Sequence, residues 1–389
     1  MSDQKKEVSE ISPQKKVIFF HDDLDGIFCA GLLMAKYGPA NLQPVSSNDR
    51  WRFDDLVKRA RSRYDHITIV DYAFHQQADT WYDHHRVDIN DHKIISSNAD
   101  RKWIHDTKAK SAFGLIVRDV YGYEIPKNIV DLAVAIDMYD SAAFPNSRYI
   151  FDTTDPVNMI YSAISANENH KHVKCILYRH LASIVASWIR MGGNDNDLKD
   201  LLSVADVTPA IVMSESSRAG KASSAMTVFG EMTLLISGYG EFPRYAEYLA
   251  IDKADLNSVI KYNVRLMPIP WQKGMMRVSI GVNQFYNGKG KLLDIGKMLQ
   301  ESPLCKGGGH KSIGAGVLKE SDMDEFVELI TLQLSGQLYQ EDGMLEKLGV
   351  DAENDDFEKT ASELSKEAHV NMDEARKQVQ KKAKKTKTA

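Results

Sequence analysis

Large apolar residues in this chain fall into short uninterrupted runs, separated by longer stretches with a helical spacing. Val17-Ile18-Phe19-Phe20 and Ile67-Thr68-Ile69-Val70 read as short buried strands. Gly26 to Tyr37 reads as a helix that ends before Gly38-Pro39, and Asp54 to Arg63 has helical character. Strand, helix, strand predicts a parallel sheet with crossover helices. Ser111 to Val120 reads as another helix. Ile129 to Ile136 is apolar and ends at Asp137, and there helix and strand both stay open. From His172 to Arg190 the pattern is helical until Met191-Gly192-Gly193-Asn194-Asp195 breaks it.

Beyond Lys221 the texture changes. Met232 to Ser237, Ser258 to Arg265 and Met275 to Val282 look like strands, with turn signals such as Lys273-Gly274 between them. Leu292 to Leu299 and Met323 to Leu338 look like helices. The expected organisation is a disordered arm over 1–15 and an α/β domain over 16–190. A helical linker over 191–220, including a polar helix Asp197 to Ala205, precedes a smaller α+β domain over 221–340. A charged tail over 341–389 ends in a lysine-rich, acid-free stretch that includes Lys381, Lys382, Lys384 and Lys385.

Composition narrows the class. The 389 residues suggest two domains, and the apolar fraction of 43% is ordinary for a soluble protein. No apolar run approaches the roughly 18 residues of a membrane span, and the first residues lack the apolar stretch of a signal peptide. Cys29, Cys175 and Cys305 are too few and too scattered for a disulfide framework or a zinc spacing, so a cytoplasmic setting is expected. A net charge of −5 argues against coating nucleic acid through global charge.

The candidate chemistry lies in five segments. His21-Asp22-Asp23-Leu24-Asp25-Gly26 leaves the first strand, so His21, Asp23 and Asp25 can converge on a metal at a strand's carboxyl end. An EF-hand would need an acid six residues after the glycine, where this chain has Leu32. Asp71 ends the second strand, where a buried carboxylate asks for a partner or cation. Asp83-His84-His85 offers three donors, of which one histidine can ligate while the other touches phosphate. Asp137 and Asp140 compete for one role, and Asp137 is favoured as the first to leave its apolar run. Gly307-Gly308-Gly309-His310-Lys311 suits an anion held by converging backbone N–H groups, with His310 and Lys311 as charged donors. No Walker-type phosphate loop occurs. Imidazole and carboxylate donors together suit a pair of divalent ions, Mn2+ first and Mg2+ next.

Taken together, these segments resemble the DHH phosphoesterase family with its C-terminal DHH-associated domain, from about Val17 to Leu338. The resemblance implies a Rossmann-like parallel-sheet catalytic domain and a smaller substrate-binding domain. It implies one ion held by His21, Asp23 and Asp71, and another by Asp25, Asp71, His84 and Asp137. His85 would contact the scissile phosphate, Asp83 would orient the histidines, and Gly307 to Lys311 would hold substrate. The implied activity is hydrolysis of phosphodiester bonds in short oligonucleotides or small nucleotides by two-metal activation of water. The implied partners are short single-stranded RNA or DNA, or a small nucleotide, with no membrane and room for a homodimer. A phosphatase of bisphosphate nucleotide or pyrophosphate, and a non-catalytic nucleotide-binding protein, are the alternatives. One departure stands out. Where many relatives carry Ser-Leu-Arg before the glycine segment, this chain has Val278-Ser279-Ile280-Gly281, leaving Arg277, Arg265 or Lys311 to supply the cation.

Overall fold

The computed structural model describes residues 15–334 except 99, 168–170, 230, 239–240, 270–271, 287–291 and 310. His310 and the lysine-rich tail therefore lie outside the described residues. The chain divides into two compact units, Met1–Glu215 and Ser216–Ala389. Among the described residues, no helix is long and apolar enough to cross a membrane.

The first unit is built on five strands: β1 (Lys16–His21), β2 (Asn41–Val45), β3 (His66–Val70), β4 (Thr80–Asp83) and β5 (Lys102–His105). They form one all-parallel sheet in the order β2-β1-β3-β4-β5. The helices are α1 (Leu24–Tyr37), α2 (Phe53–Arg61), α3 (Ile89–Ser97), α4 (Ala112–Tyr121), α5 (Lys127–Asp140), α6 (Pro156–Ala166), α7 (Lys171–Arg190) and α8 (Asp195–Val204). α9 (Pro209–Ala225) runs across the division between the units.

Crossover helices cover both sheet faces, which is why β1 and β3 are apolar on both sides. Val17, Phe19, Ile67, Ile69 and Trp81 pack with Phe53 and Val57 on one face. On α1, every residue from Leu24 to Met34 is buried. Gly31 is one reason α7 comes so close: a Cβ there would lie 2.6 Å from Val185 Cγ1. Ile129 to Ile136 is helical, inside α5. α8, expected in the linker, buries Leu198 and Leu202. The chain leaves β1 toward β2 and then returns to place β3 on β1's other side. The strand ends at His21 and Asp71 thus flank a topological switch point, where open parallel sheets bind ligands.

Asp79 ties the edge of this sheet together. Its Oδ2 accepts from Ile67 N at 2.8 Å and Arg61 Nη2 at 2.7 Å, and its Oδ1 from Arg101 Nη1 at 2.9 Å. Partial burial alone would raise its pKa, but these donors hold it below the usual carboxylate range. Its stabilising contribution is therefore complete above the ordinary carboxylate range and fades as pH falls through the lowered value. Asp79→Asn should cost about 1–3 kcal/mol at pH 7 in urea unfolding, and less in acid. An equal loss at both pH values would contradict this.

The second unit carries β6 (Met226–Phe229), β7 (Met232–Ile236), β8 (Tyr262–Pro268), β9 (Met275–Val282), β10 (Lys306–Gly309) and β11 (Ile313–Lys319). They form a mixed sheet in the order β10-β11-β9-β8-β7-β6, with only β7 and β8 parallel. α10 (Ala246–Lys253), α11 (Ile295–Glu301) and α12 (Met323–Leu334) complete it. One face packs Val264, Val278 and Ile280 with Leu299, Phe326 and Ile330. β8 begins later than Ser258 because Ile260 N closes a turn onto Leu256 O at 2.9 Å. Gly307 to Gly309 of the anion-binding candidate form the strand β10 with Lys306, paired with β11 through Gly307↔Gly316 and Gly308↔Ala315. Bare glycines allow this close pairing: a Cβ on Gly307 would lie 2.6 Å from Ala315 O.

Candidate metal centre

The centre is assembled where β1, β3 and β4 end and where α1 and α4 begin, with the last turn of α5 beside them. His21 ends β1. Asp23 caps α1, with Oδ1 accepting from Gly26 N at 3.0 Å and Oδ2 lying 2.5 Å from His21 Nδ1. Gly26 permits the tight return of α1 onto the strand, because a Cβ there would sit 2.2 Å from His21 O. Gly26→Ala should displace His21 and Asp23 together, costing about 1–3 kcal/mol of stability and weakening manganese binding. Thermal melting and metal titration would check this, and wild-type values for both would contradict the close approach.

Asp25 is buried and faces the start of α4, 87 residues away. Its Oδ2 accepts from Ala112 N at 2.7 Å and its Oδ1 from Phe113 N at 2.8 Å. Burial, then the negative charges of Asp71 and Asp140, raise its pKa well above the ordinary value. Asp22 is drawn aside by Lys174 Nζ at 2.7 Å.

Asp71 is the hub. Its backbone is left-handed, with φ of +53°, yet its N–H still donates to Tyr82 O at 2.8 Å. The side chain is fully buried, and neither carboxylate oxygen has a hydrogen-bond partner among the described residues. Oδ2 faces His21 Nδ1 at 3.6 Å, while Oδ1 faces His84 Nε2 at 3.6 Å and His85 Nδ1 at 3.7 Å. Burial and the Asp23 charge raise its pKa.

The two adjacent histidines are held differently. His84 is buried, and its Nδ1–H donates to Ala109 O at 3.2 Å, which turns Nε2 toward Asp71 and toward Asp140 Oδ2 at 3.1 Å. Burial lowers its pKa, but the nearby Asp140 and Asp71 carboxylates outweigh that and push it up to about 12. The His85 side chain is 44% exposed, and Asp83 Oδ1 fixes the residue through its backbone N at 3.2 Å and ring Nδ1 at 2.8 Å. Asp83 also accepts from His84 N at 2.8 Å. Burial would raise the Asp83 pKa, but the His85 contacts hold it low.

Among the described residues, three sets of donors lie close enough to share an ion: His21 with Asp23 and Asp71, Asp71 with His84 and His85, and Asp25 with His84 and Asp140. Asp137 joins none of them; Ser111 Oγ donates to its Oδ1 at 2.5 Å. The preference for Asp137 over Asp140 is not what the geometry favours. Because the segment is a helix, Asp140 stands one turn beyond Asp137, and it is this later residue that reaches His84. Two supporting residues went unrecognised in the sequence. His105, stacked on Trp81, donates from Nε2 to His85 O at 2.6 Å. Ser111 caps α4 and so sets the amides that grip Asp25, for which an N-cap serine was the available signal.

The donors fit divalent ions. A buried carboxylate whose oxygens make no hydrogen bond is costly unless cations stand beside it, and the surrounding imidazoles and carboxylates suit borderline and hard metals. In the second unit, Arg265 is locked inside by Glu247 Oε1 at 2.5 Å and Pro243 O at 2.9 Å, so it is not available as an anion clamp in this conformation.

No family model matches this sequence, and no curated protein matches it either. Among solved structures it is similar to PggH, a pGpG-specific phosphodiesterase from Vibrio cholerae, at 19% identity and a TM-score of 0.54, covering 83% of this chain and 99% of that one. It is also similar to RecJ from Thermus thermophilus in complex with Mn2+, at 13% identity and a TM-score of 0.45, covering 83% of this chain and 52% of RecJ. RecJ with Mg2+ from the same organism gives 11% identity and a TM-score of 0.42, covering 83% and 50%. The likeness to PggH shows a shared fold over nearly all of that protein.

Proposed function

We propose that this protein is a divalent-metal-dependent phosphoesterase that hydrolyses phosphodiester bonds in short oligonucleotides or small nucleotides. The observation that carries the reading is Asp71, whose two buried oxygens make no hydrogen bond among the described residues and face different donor sets. In this reading His21, Asp23 and Asp71 hold one ion, and Asp25, Asp71, His84 and Asp140 hold the other. Such a pair lowers the pKa of water and stabilises charge on a phosphoryl group in flight.

The protein's own groups do the rest. Asp83 fixes His85 by Nδ1, leaving Nε2 as the atom that meets a phosphate oxygen. Ala109 fixes the His84 tautomer, as a carbonyl behind a metal-ligating histidine does. The amides of α4 hold Asp25 in place. Substrate capture by Gly307, Gly308, Gly309, His310 and Lys311 belongs to the same reading. β10 is an edge strand, and its glycines leave the backbone N–H groups uncovered by side chains.

PggH acts on a linear dinucleotide by its name, so pGpG is the first substrate to try. The test is a panel of pGpG, short RNA, cyclic dinucleotide, bisphosphate nucleotide and pyrophosphate with manganese, magnesium or chelator. Turnover of a linear oligonucleotide with manganese, abolished by chelator, is expected. Full activity in chelator, or pyrophosphate as sole substrate, would overturn the reading.

A further inference from the structure

At the end of the parallel sheet opposite the metal centre lies a cavity of about 250 Å3. It is bounded by the first residues of β1, β3, β4 and β5 and by the last turns of α1. Nothing in the proposed reaction uses it. Ends of this kind in parallel sheets ordinarily serve stability alone, so an open volume with polar groups facing it calls for an occupant.

The walls specify that occupant. Ile18 and Leu33 give an apolar floor, and Tyr37, 48% exposed, gives a ring at the mouth. Two ammonium groups stand at the rim. Lys16 Nζ donates to Tyr37 O at 3.0 Å and uses only one of its three protons there. Lys102 Nζ pairs with Asp119 Oδ2 at 2.5 Å and lies over the Tyr82 ring, 5.8 Å from its centroid. With Asp119 counted, one positive charge remains uncompensated. Thr68 interrupts the apolar run of β3; it is only 7% exposed and lines the cavity, so its hydroxyl offers one polar group on an otherwise apolar inner wall.

We infer that this cavity is a second binding site, separate from the metal centre, for a small flat ring bearing one anionic group. The ring lies on Ile18 and Leu33 against Tyr37. The carboxylate or phosphate takes the free donors of Lys16 and Lys102, and Thr68 bonds a polar atom at the ring's inner edge. The volume admits a single ring with a short substituent and excludes an oligonucleotide.

The full chain should be titrated by calorimetry in chelator, with benzoate, phenylphosphonate, phenol and inorganic phosphate as probes. Both ring anions should bind saturably. Phenol and phosphate, each lacking one element, should bind at least about tenfold more weakly. The two ring anions distinguish a carboxylate preference from a phosphate preference. Manganese loading should leave benzoate affinity unchanged. Lys16→Gln should weaken benzoate about tenfold and leave phenol unaffected. Ala40→Leu, which fills the cavity, should abolish binding of both ring anions while melting like wild type. If that variant does not fold, the selective loss in Lys16→Gln decides. No saturable binding at millimolar benzoate, binding only with manganese present, or undiminished binding in folded Ala40→Leu would overturn the inference. None of these outcomes depends on turnover, so failure here leaves the proposed reaction standing, and the reverse.

Discussion

Asp71→Asn should fold, lose manganese and lose turnover by about 10^3-fold or more. Asparagine preserves the side chain's shape and tolerates the left-handed backbone at this position, so strain is not introduced. It removes the one group whose two oxygens face both donor sets, and so weakens both ions at once. In the metal-free protein the same change relieves repulsion with Asp23 and removes a buried charge, so the melting temperature should stay level or rise. Metal content, turnover and melting measured on one preparation would check all three. Near-wild-type turnover with two ions still bound would show that another residue joins the ions.

The second large effect separates two acids on one helix. Asp140→Asn should lower kcat/KM about a hundredfold or more and reduce metal content, because its Oδ2 sits 3.1 Å from His84 Nε2. Asp137→Asn should cost only about tenfold, through loosening of Ser111 and the α4 turn behind Asp25. Parallel kinetics and metal analysis would rank them. The reverse ranking would restore Asp137 as the direct ligand and require the end of α5 to rearrange when metal binds.

The contrast between these two acids shows where sequence reasoning reached its limit. β1, β3, α1 and β9 could be read because each is a run whose own composition decides its state. β4 and β5 could not. Each is four residues long, and Thr80-Trp81-Tyr82-Asp83 and Lys102-Trp103-Ile104-His105 carry polar ends. β2 contains Pro44, which a lone reading takes as a break but an edge strand accepts. Apolarity alone could not tell helix from strand in Ile129 to Ile136, and that choice decides which acid faces His84. The clustering of the histidine and aspartate segments was legible because each stands at or near the end of an apolar run. The grip of α4 on Asp25 was not, because it joins residues 87 apart and only the fold brings them together. At Gly307 to Gly309 the lack of a side chain lets two strands pair closely, which a reading of the glycines for anion binding does not foresee.

The central claim is that two ions share Asp71. Anomalous scattering at the manganese edge from manganese-loaded crystals tests it most directly. Two peaks about 3.5–4 Å apart are expected, one beside Asp71 Oδ2, His21 and Asp23, the other beside Asp71 Oδ1, His84, Asp25 and Asp140. A single peak, or two peaks of which either lies out of reach of Asp71, would contradict it.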